Sequence, residues 1–381
     1  MNFKKLRFLA FVISIFPSFV FSQAIIADHN CTNIKLIPES AIVNAKNQLH
    51  IAYGHTSHGS QLITGMNNLD DFMGGNGLYV WNDGPKDGFL DIDDNFVGGD
   101  LGHNGDTLWA SRTREYLNNP ANSDVNVVIW SWCGGVSDNS EEGIQTYLDK
   151  MNELEHDFPS VKFVYMTGHL DGSGVDGNLH QRNEQIRNYC RNNNKILYDF
   201  ADIESYDPDG NYFLDKMAND NCDYDTDGNG TRDGNWAEEW QNSHTEGVDW
   251  YDCYAAHSKP LNGNLKAYAA WWLWAKLAGW EGVTSVGTPE NKLTNYFELY
   301  QNYPNPFNPE TVISYELKIP QNISLKIYSP DGEEIITLFE GYKPKGIFSV
   351  RFSGKELSSG IYFCRLSSGS YGKTIKMTLL E

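Results

Sequence analysis

Short apolar runs alternate with amphipathic stretches over the first two thirds of the chain. The runs 49–53, 125–132, 161–167 and 195–200 read as buried strands. Apolar positions at helical spacing between and after them predict helices over 60–73, 107–118, 143–157, 181–192 and 264–277. Strands separated by helices require right-handed crossovers, which means a parallel sheet covered on both faces. A polar stretch rich in Gly, Thr and Ser (283–295) then ends this pattern. From 296 the period falls to two. Alternating strands are predicted over 312–317, 323–328, 334–339, 348–352, 361–366 and 374–379, with turn signals at Ser329-Pro-Asp-Gly332 and Ser358-Ser-Gly360. The expected fold is α/β over 25–282, followed by a small all-β, Ig-like antiparallel sandwich over 296–381.

The first 22 residues change the setting. Met1 to Arg7 is basic, 8–21 is apolar, and Val20 and Ser22 stand at −3 and −1 of a cleavage site before Gln23. That is the layout of a secretory signal peptide, too short and wrongly flanked for a membrane anchor. The formal charge is −21, and losing Lys4, Lys5 and Arg7 with the leader takes the mature chain to near −24. Such a surface repels nucleic acid and anionic lipid. Export permits disulfides. Of the six cysteines, Cys222 and Cys253 are the preferred pair, because a bridge there would clamp a loop-rich acidic insertion; no CxxC spacing points to zinc.

A serine hydrolase needs an exposed Ser, a His, an acid to orient that His, and N–H donors for the oxyanion. In a parallel sheet these meet at strand carboxyl ends. The segment His55-Thr-Ser-His-Gly59 follows the first strand and offers Ser57 ahead of a helix that Ser60 can cap. Further candidates are Gly102-His-Asn-Gly-Asp-Thr107, Trp130-Ser-Trp-Cys-Gly-Gly135, Tyr165-Met-Thr-Gly-His-Leu-Asp171 and Ala256-His-Ser-Lys-Pro-Leu-Asn262, with Asp249 and Asp252 upstream of the last. His55, His58, His169 and Asp171 are expected to line the pocket. A transition-metal site built from the histidines, with His103 or His257, is the competing use. Separately, Asp223, Asp225, Asp227, Asn229 and Asp233 place oxygen ligands at alternate positions around glycines. That is the spacing of an EF-hand-like loop, and it predicts structural Ca2+.

Two resemblances follow from these motifs. Tyr300-Gln-Asn-Tyr-Pro-Asn-Pro-Phe-Asn-Pro-Glu-Thr311, with Asp331-Gly332 and Ser359-Gly-Ile-Tyr-Phe363 behind it, resembles the C-terminal sorting domain of type IX secretion cargo. The resemblance implies export through the periplasm and outer membrane, recognition by the type IX machinery, and a secreted or cell-surface product. The order of the other blocks is similar to the SGNH (GDSL-like) hydrolase superfamily over roughly 47–280. That resemblance implies a three-layer, flavodoxin-like parallel sheet. It also implies an esterase acting on an O-acylated polysaccharide, with Ser57 as nucleophile, His257 as base and Asp252 (or Asp249) orienting it. Ser57, Gly105 and Gly134 would then supply the oxyanion hole. Two departures stand out: Tyr254 occupies the position three residues before His257 where the family has Asp, and Cys133-Gly-Gly135 stands where it has Asn. The rival readings are a non-catalytic carbohydrate-binding surface protein on the same fold and a metal-assisted or lyase-type enzyme.

Overall fold

The computed structural model describes residues 23–282, 297–318, 321–330, 334–355, 357–368 and 371–380. The predicted leader (1–22) and linker (283–295) lie outside the described residues. In chain order the first part contains β1 (Ile25–Ala27), α1 (Glu39–Gln48), β2 (His50–Gly54), α2 (Ser60–Phe72), β3 (Trp81–Asn82), β4 (Leu90–Asp94), α3 (Leu108–Leu117), β5 (Val127–Trp130), α4 (Glu141–Asp157), β6 (Lys162–Met166), α5 (Asn178–Asn192), β7 (Ile196–Tyr198) and α6 (Phe200–Ile203). A short ribbon of β8 (Asp223–Tyr224) and β9 (Gly234–Asn235) precedes α7 (Trp236–Ser243) and α8 (Pro260–Leu277).

Seven strands form one sheet in the order β1-β7-β6-β5-β2-β4-β3, and every pairing in it is parallel. All four residues of β5 are buried, as are four of five in β2 and in β6. Such near-continuous apolar runs are what a sheet covered on both faces demands. One helical group consists of α1 and α2 packed on α8; the other is the series α3, α4, α5. Helix α8 starts with Pro260 at its first turn, where a missing N–H costs nothing, and is buried almost all round, Trp271 and Trp274 included. Gly65 of α2 is what lets α8 approach: a Cβ there would stand 2.2 Å from the Gly263 carbonyl oxygen.

The predicted helix 60–73 is observed as Ser60–Phe72, and 107–118 as Leu108–Leu117. Strand β4 was not predicted, because Leu90-Asp-Ile-Asp-Asp94 carries three acids in five residues and reads as loop. The Cys222–Cys253 bridge is not formed. Both thiols are buried and free, with Cys222 Sγ 3.5 Å from Ser258 Oγ and Cys253 Sγ donating to Pro260 O.

In the C-terminal part every strand pairs antiparallel with its neighbours, apart from an isolated parallel bridge between Phe307 and Leu379. Strands β10 (Phe297–Leu299), β11 (Glu310–Leu317), β12 (Gln321–Tyr328), β13 (Glu334–Lys343), β14 (Gly346–Ser353), β15 (Gly360–Ser368) and β16 (Tyr371–Leu379) form two sheets, β10-β11-β14 and β13-β12-β15-β16. Alternate residues such as Ile313, Tyr315, Leu325, Ile327, Cys364 and Leu366 point into one shared core.

Candidate functional site

The carboxyl ends of β2, β5 and β6 deliver loops 55–59, 131–135 and 167–171 to one edge of the sheet. Cys133 lies in the second of these. Its Sγ is 3.2 Å from His58 Nδ1, and His58 Nε2 is 3.0 Å from Asp220 Oδ2. Both ring nitrogens of the buried His58 are therefore engaged, one by sulfur and one by a carboxylate.

The electrostatics follow from these contacts. Burial opposes a charge on His58, but Asp220 and then Cys133 outweigh it and hold the imidazole up at about 9. The hydrogen bond from His58 brings the Cys133 thiol down to about 7 against the effect of burial, with smaller help from the Thr56 hydroxyl and the His58 N–H. Burial would raise Asp220, yet its bond to His58 keeps the carboxyl below its usual range. The raised imidazole and lowered thiol favour a thiolate–imidazolium pair near neutral pH beside the Asp220 carboxylate.

His58 is also sandwiched. The His169 ring stacks on it at 3.6 Å, 1° from parallel, and His257 covers the other side at 4.6 Å and 19°. His169 Nδ1 lies 2.9 Å from Leu170 O and Nε2 accepts the Gly134 N–H at 3.2 Å, which assigns the neutral Nδ1–H tautomer. Burial and the neighbouring His58 charge both depress its pKa. Below the thiol, Asp100 Oδ1 accepts the Cys133 N–H at 3.0 Å while Oδ2 lies 2.7 Å from His103 Nε2. Asp138 contacts the other His103 nitrogen and, with Asp100, raises that ring to about 9 despite burial.

The residues predicted from sequence fall differently. Ser57 is exposed, and its carbonyl accepts the Ser60 hydroxyl. Among the described residues no hydrogen bond joins Ser57 to His257 or His257 to Asp252. His257 is exposed with φ 63°, a left-handed conformation, and meets the site through its stack on His58. Asp252 is exposed and offers its backbone oxygen to Asn68; the Asp249 carboxylate caps Thr245 N. The described residues thus do not join Ser57, His257 and Asp252 by hydrogen bonds, whereas Cys133, His58 and Asp220 are joined in line. Of the oxyanion donors, Gly134 N–H is taken by His169 and Gly105 N–H by Gly102 O at 3.2 Å. The Ser57 N–H has no acceptor among the described residues and sits between Thr56 and His58, both of which act on Sγ. Of the pocket residues, His55 is buried with Nε2 2.6 Å from Asp94, and Asp171 closes a turn onto Ser173 N and Oγ. Sequence reading missed the contact of Cys133 with His58, although a cysteine just past a strand end was the available signal. Asp220 lies in an irregular loop 162 residues from His58 and leaves no local signal.

Donor atoms of His58, His169 and Asp220 come within 4.8 Å of one another. However, an ion cannot lie in the planes of two rings stacked 3.6 Å apart and parallel, so these imidazoles do not fit a common ion. In the acidic loop, both Asp225 oxygens are filled by the N–H groups of Asp227, Gly228, Asn229 and Gly230. Asp223 is held by Asn219, Asn221 and Asn235; Asp227 accepts Asn229 N, and Asp233 accepts from Thr226. No three carboxylates of this loop lie within 4.8 Å of one another; the expected Ca2+ would also draw on Asn229 and backbone carbonyl oxygens.

Residues 301–380 match the family model described as "Secretion system C-terminal sorting domain". This part of the chain is a sorting domain, and it directs export by type IX secretion to the cell surface or the extracellular space. Among the described residues no helix is long and apolar enough to cross a membrane. No curated protein matches the chain. Among solved structures, similarity extends to PorZ, a surface component of the type IX secretion system of Porphyromonas gingivalis. That pair is 19% identical with a TM-score of 0.17, over 22% of this chain and 11% of PorZ. An endo-β-1,4-mannanase from Thermotoga petrophila is 10% identical with a TM-score of 0.17, over 67% of this chain and 47% of that one. A modular endo-β-1,4-mannanase from Cellulomonas fimi is 9% identical with a TM-score of 0.19, over 85% and 58%. The chain thus spans about a tenth of PorZ and about half of the mannanases. At these TM-scores the likenesses carry no argument about fold or function.

Proposed function

We propose that the chain is an exported acyl-transfer hydrolase in which Cys133 is the nucleophile, His58 the acid and base, and Asp220 the group that orients and charges His58. The single observation that carries this reading is the unbroken line from Cys133 Sγ through His58 to Asp220, at 3.2 and 3.0 Å. The five central strands, in order β4-β2-β5-β6-β7, support a flavodoxin-like arrangement with its site at the strand carboxyl edge.

The chemistry follows from the protonation states. The Cys133 thiolate attacks the acyl carbon, and negative charge collects on the carbonyl oxygen, where the free Ser57 N–H is the candidate donor. As the ester C–O bond breaks, His58 gives its proton to the leaving alkoxide and a thioester remains on Cys133. Water then attacks the thioester while neutral His58 takes its proton. The C–S bond breaks, releasing a carboxylic acid and restoring the thiolate–imidazolium pair. Export and the half-exposed thiol favour an acyl group on a large extracellular molecule, with O-acylated polysaccharide as the substrate class. The test is turnover of a chromogenic acetyl ester. Cys133→Ala is expected to lose at least 100-fold and Ser57→Ala less than tenfold. Loss in Ser57→Ala alone would overturn the assignment.

A further inference from the structure

Besides Asp220, the groups facing the Cys133–His58 pair are His169, His257 and Asp100, with His103 beyond it. Beneath them lies one charged pair with no surface at all. Glu204 and Lys266 are each 0% exposed, with Lys266 Nζ 2.5 Å from Glu204 Oε1. We propose that this pair is a positioning device for the thiolate–imidazolium site, fixing all three histidine-bearing segments from below. This inference rests on the Cys133–His58 reading.

Each arm of the network ends beside one ring. Glu204 Oε2 accepts the N–H of Leu170, the residue after His169, at 2.8 Å. Lys266 Nζ donates to Gln61 Oε1, and Gln61 Nε2 donates to the carbonyl of Ala256, the residue before His257, at 2.5 Å. The Gln61 N–H is itself bonded to His58 O at 3.1 Å. Asn262 Nδ2 joins Glu204 Oε1, at 3.3 Å, to the hydroxyl of Ser258, the residue after His257, at 2.7 Å. A buried ion pair is an inefficient source of stability, since apolar side chains of similar volume usually do as well or better. What it supplies here is a fixed position for three loops. The Glu204 charge also adds to the groups that raise His58.

A Glu204→Gln/Lys266→Met double variant removes both charges, keeps an acceptor for Leu170 N–H and leaves no orphaned ion. The readout is iodoacetamide alkylation of Cys133 against pH in the full chain, followed by peptide mass; the other five cysteines are buried. Alkylation at pH 6.5 is expected to fall at least tenfold, with its midpoint moving up toward ordinary thiols. An alkylation profile that overlays the parent's overturns the proposal, whatever the melting temperature. Should the double variant fail to fold, Gln61→Met cuts only the arm to Ala256. A threefold or greater slowing there supports the proposal and no change overturns it. An ordinary thiol midpoint in the parent overturns the thiolate reading itself, and the positioning role with it.

Discussion

The rings of His58 and His169 lie 3.6 Å apart and within 1° of parallel, so a buried imidazolium rests on a neutral imidazole. The neutral ring also accepts the Gly134 N–H. His169→Ala removes the stack and opens a cavity beside a charge. It is expected to cost about 1–3 kcal/mol in denaturant unfolding. His169→Phe should recover part of that loss, because it restores a ring without the nitrogen.

Turnover is expected to be bell-shaped in pH. The rising limb falls near 7, where Cys133 becomes thiolate, and the descending limb near 9, where His58 loses the proton it must deliver. The two values belong to the pair as a unit. A rate that keeps rising past pH 9 would contradict the role of His58 as acid.

Stability gives an independent check with a definite sign. His58 is raised on folding, so its contribution is complete below about 6.5 and is lost as pH rises through about 9. Cys133 is lowered from 9 to about 7, so its contribution is full above 9 and disappears as pH falls through about 7. Between 7 and 9 the two slopes oppose each other, and unfolding free energy should be nearly flat for these groups. In Cys133→Ala only the His58 slope remains, held by Asp220, and the melting temperature should fall from pH 6.5 to 8.5 relative to the parent. Parallel curves for parent and variant would show that the two groups are not linked.

Gly65 of α2 lies directly against Gly263 of α8. Gly65→Ala places a methyl 2.2 Å from the Gly263 carbonyl oxygen. Separating the helices should destabilise by about 1–3 kcal/mol. Because α2 begins two residues after His58, the alkylation rate of Cys133 should fall as well; urea unfolding and alkylation read the two effects separately.

Much of the architecture was legible because the period of apolar residues reports burial directly. The fully buried β5 and the amphipathic α2 stand out in any window, whereas β4, with three acids, does not. The sorting domain was legible for the same reason, and also from its long Tyr-Pro-Asn-Pro-Phe motif. The gathering of the blocks was legible, and the hydrogen-bonded trio among them was not. The blocks around Ser57, Cys133, His169 and His257 do meet at one edge. Which side chain turns inward depends on loop geometry that no spacing encodes: Ser57 faces solvent while His58, its neighbour, is buried. In sequence, Cys133 stands where the SGNH resemblance places an Asn, which hides its contact with His58.

Acid-quenched turnover of an activated acyl ester, followed by peptide mass, locates the acyl group and tests the central claim most directly. The Cys133–His58–Asp220 account predicts the added acyl mass on the peptide carrying Cys133, and its absence in Cys133→Ala. An acyl group found instead on Ser57 would contradict it.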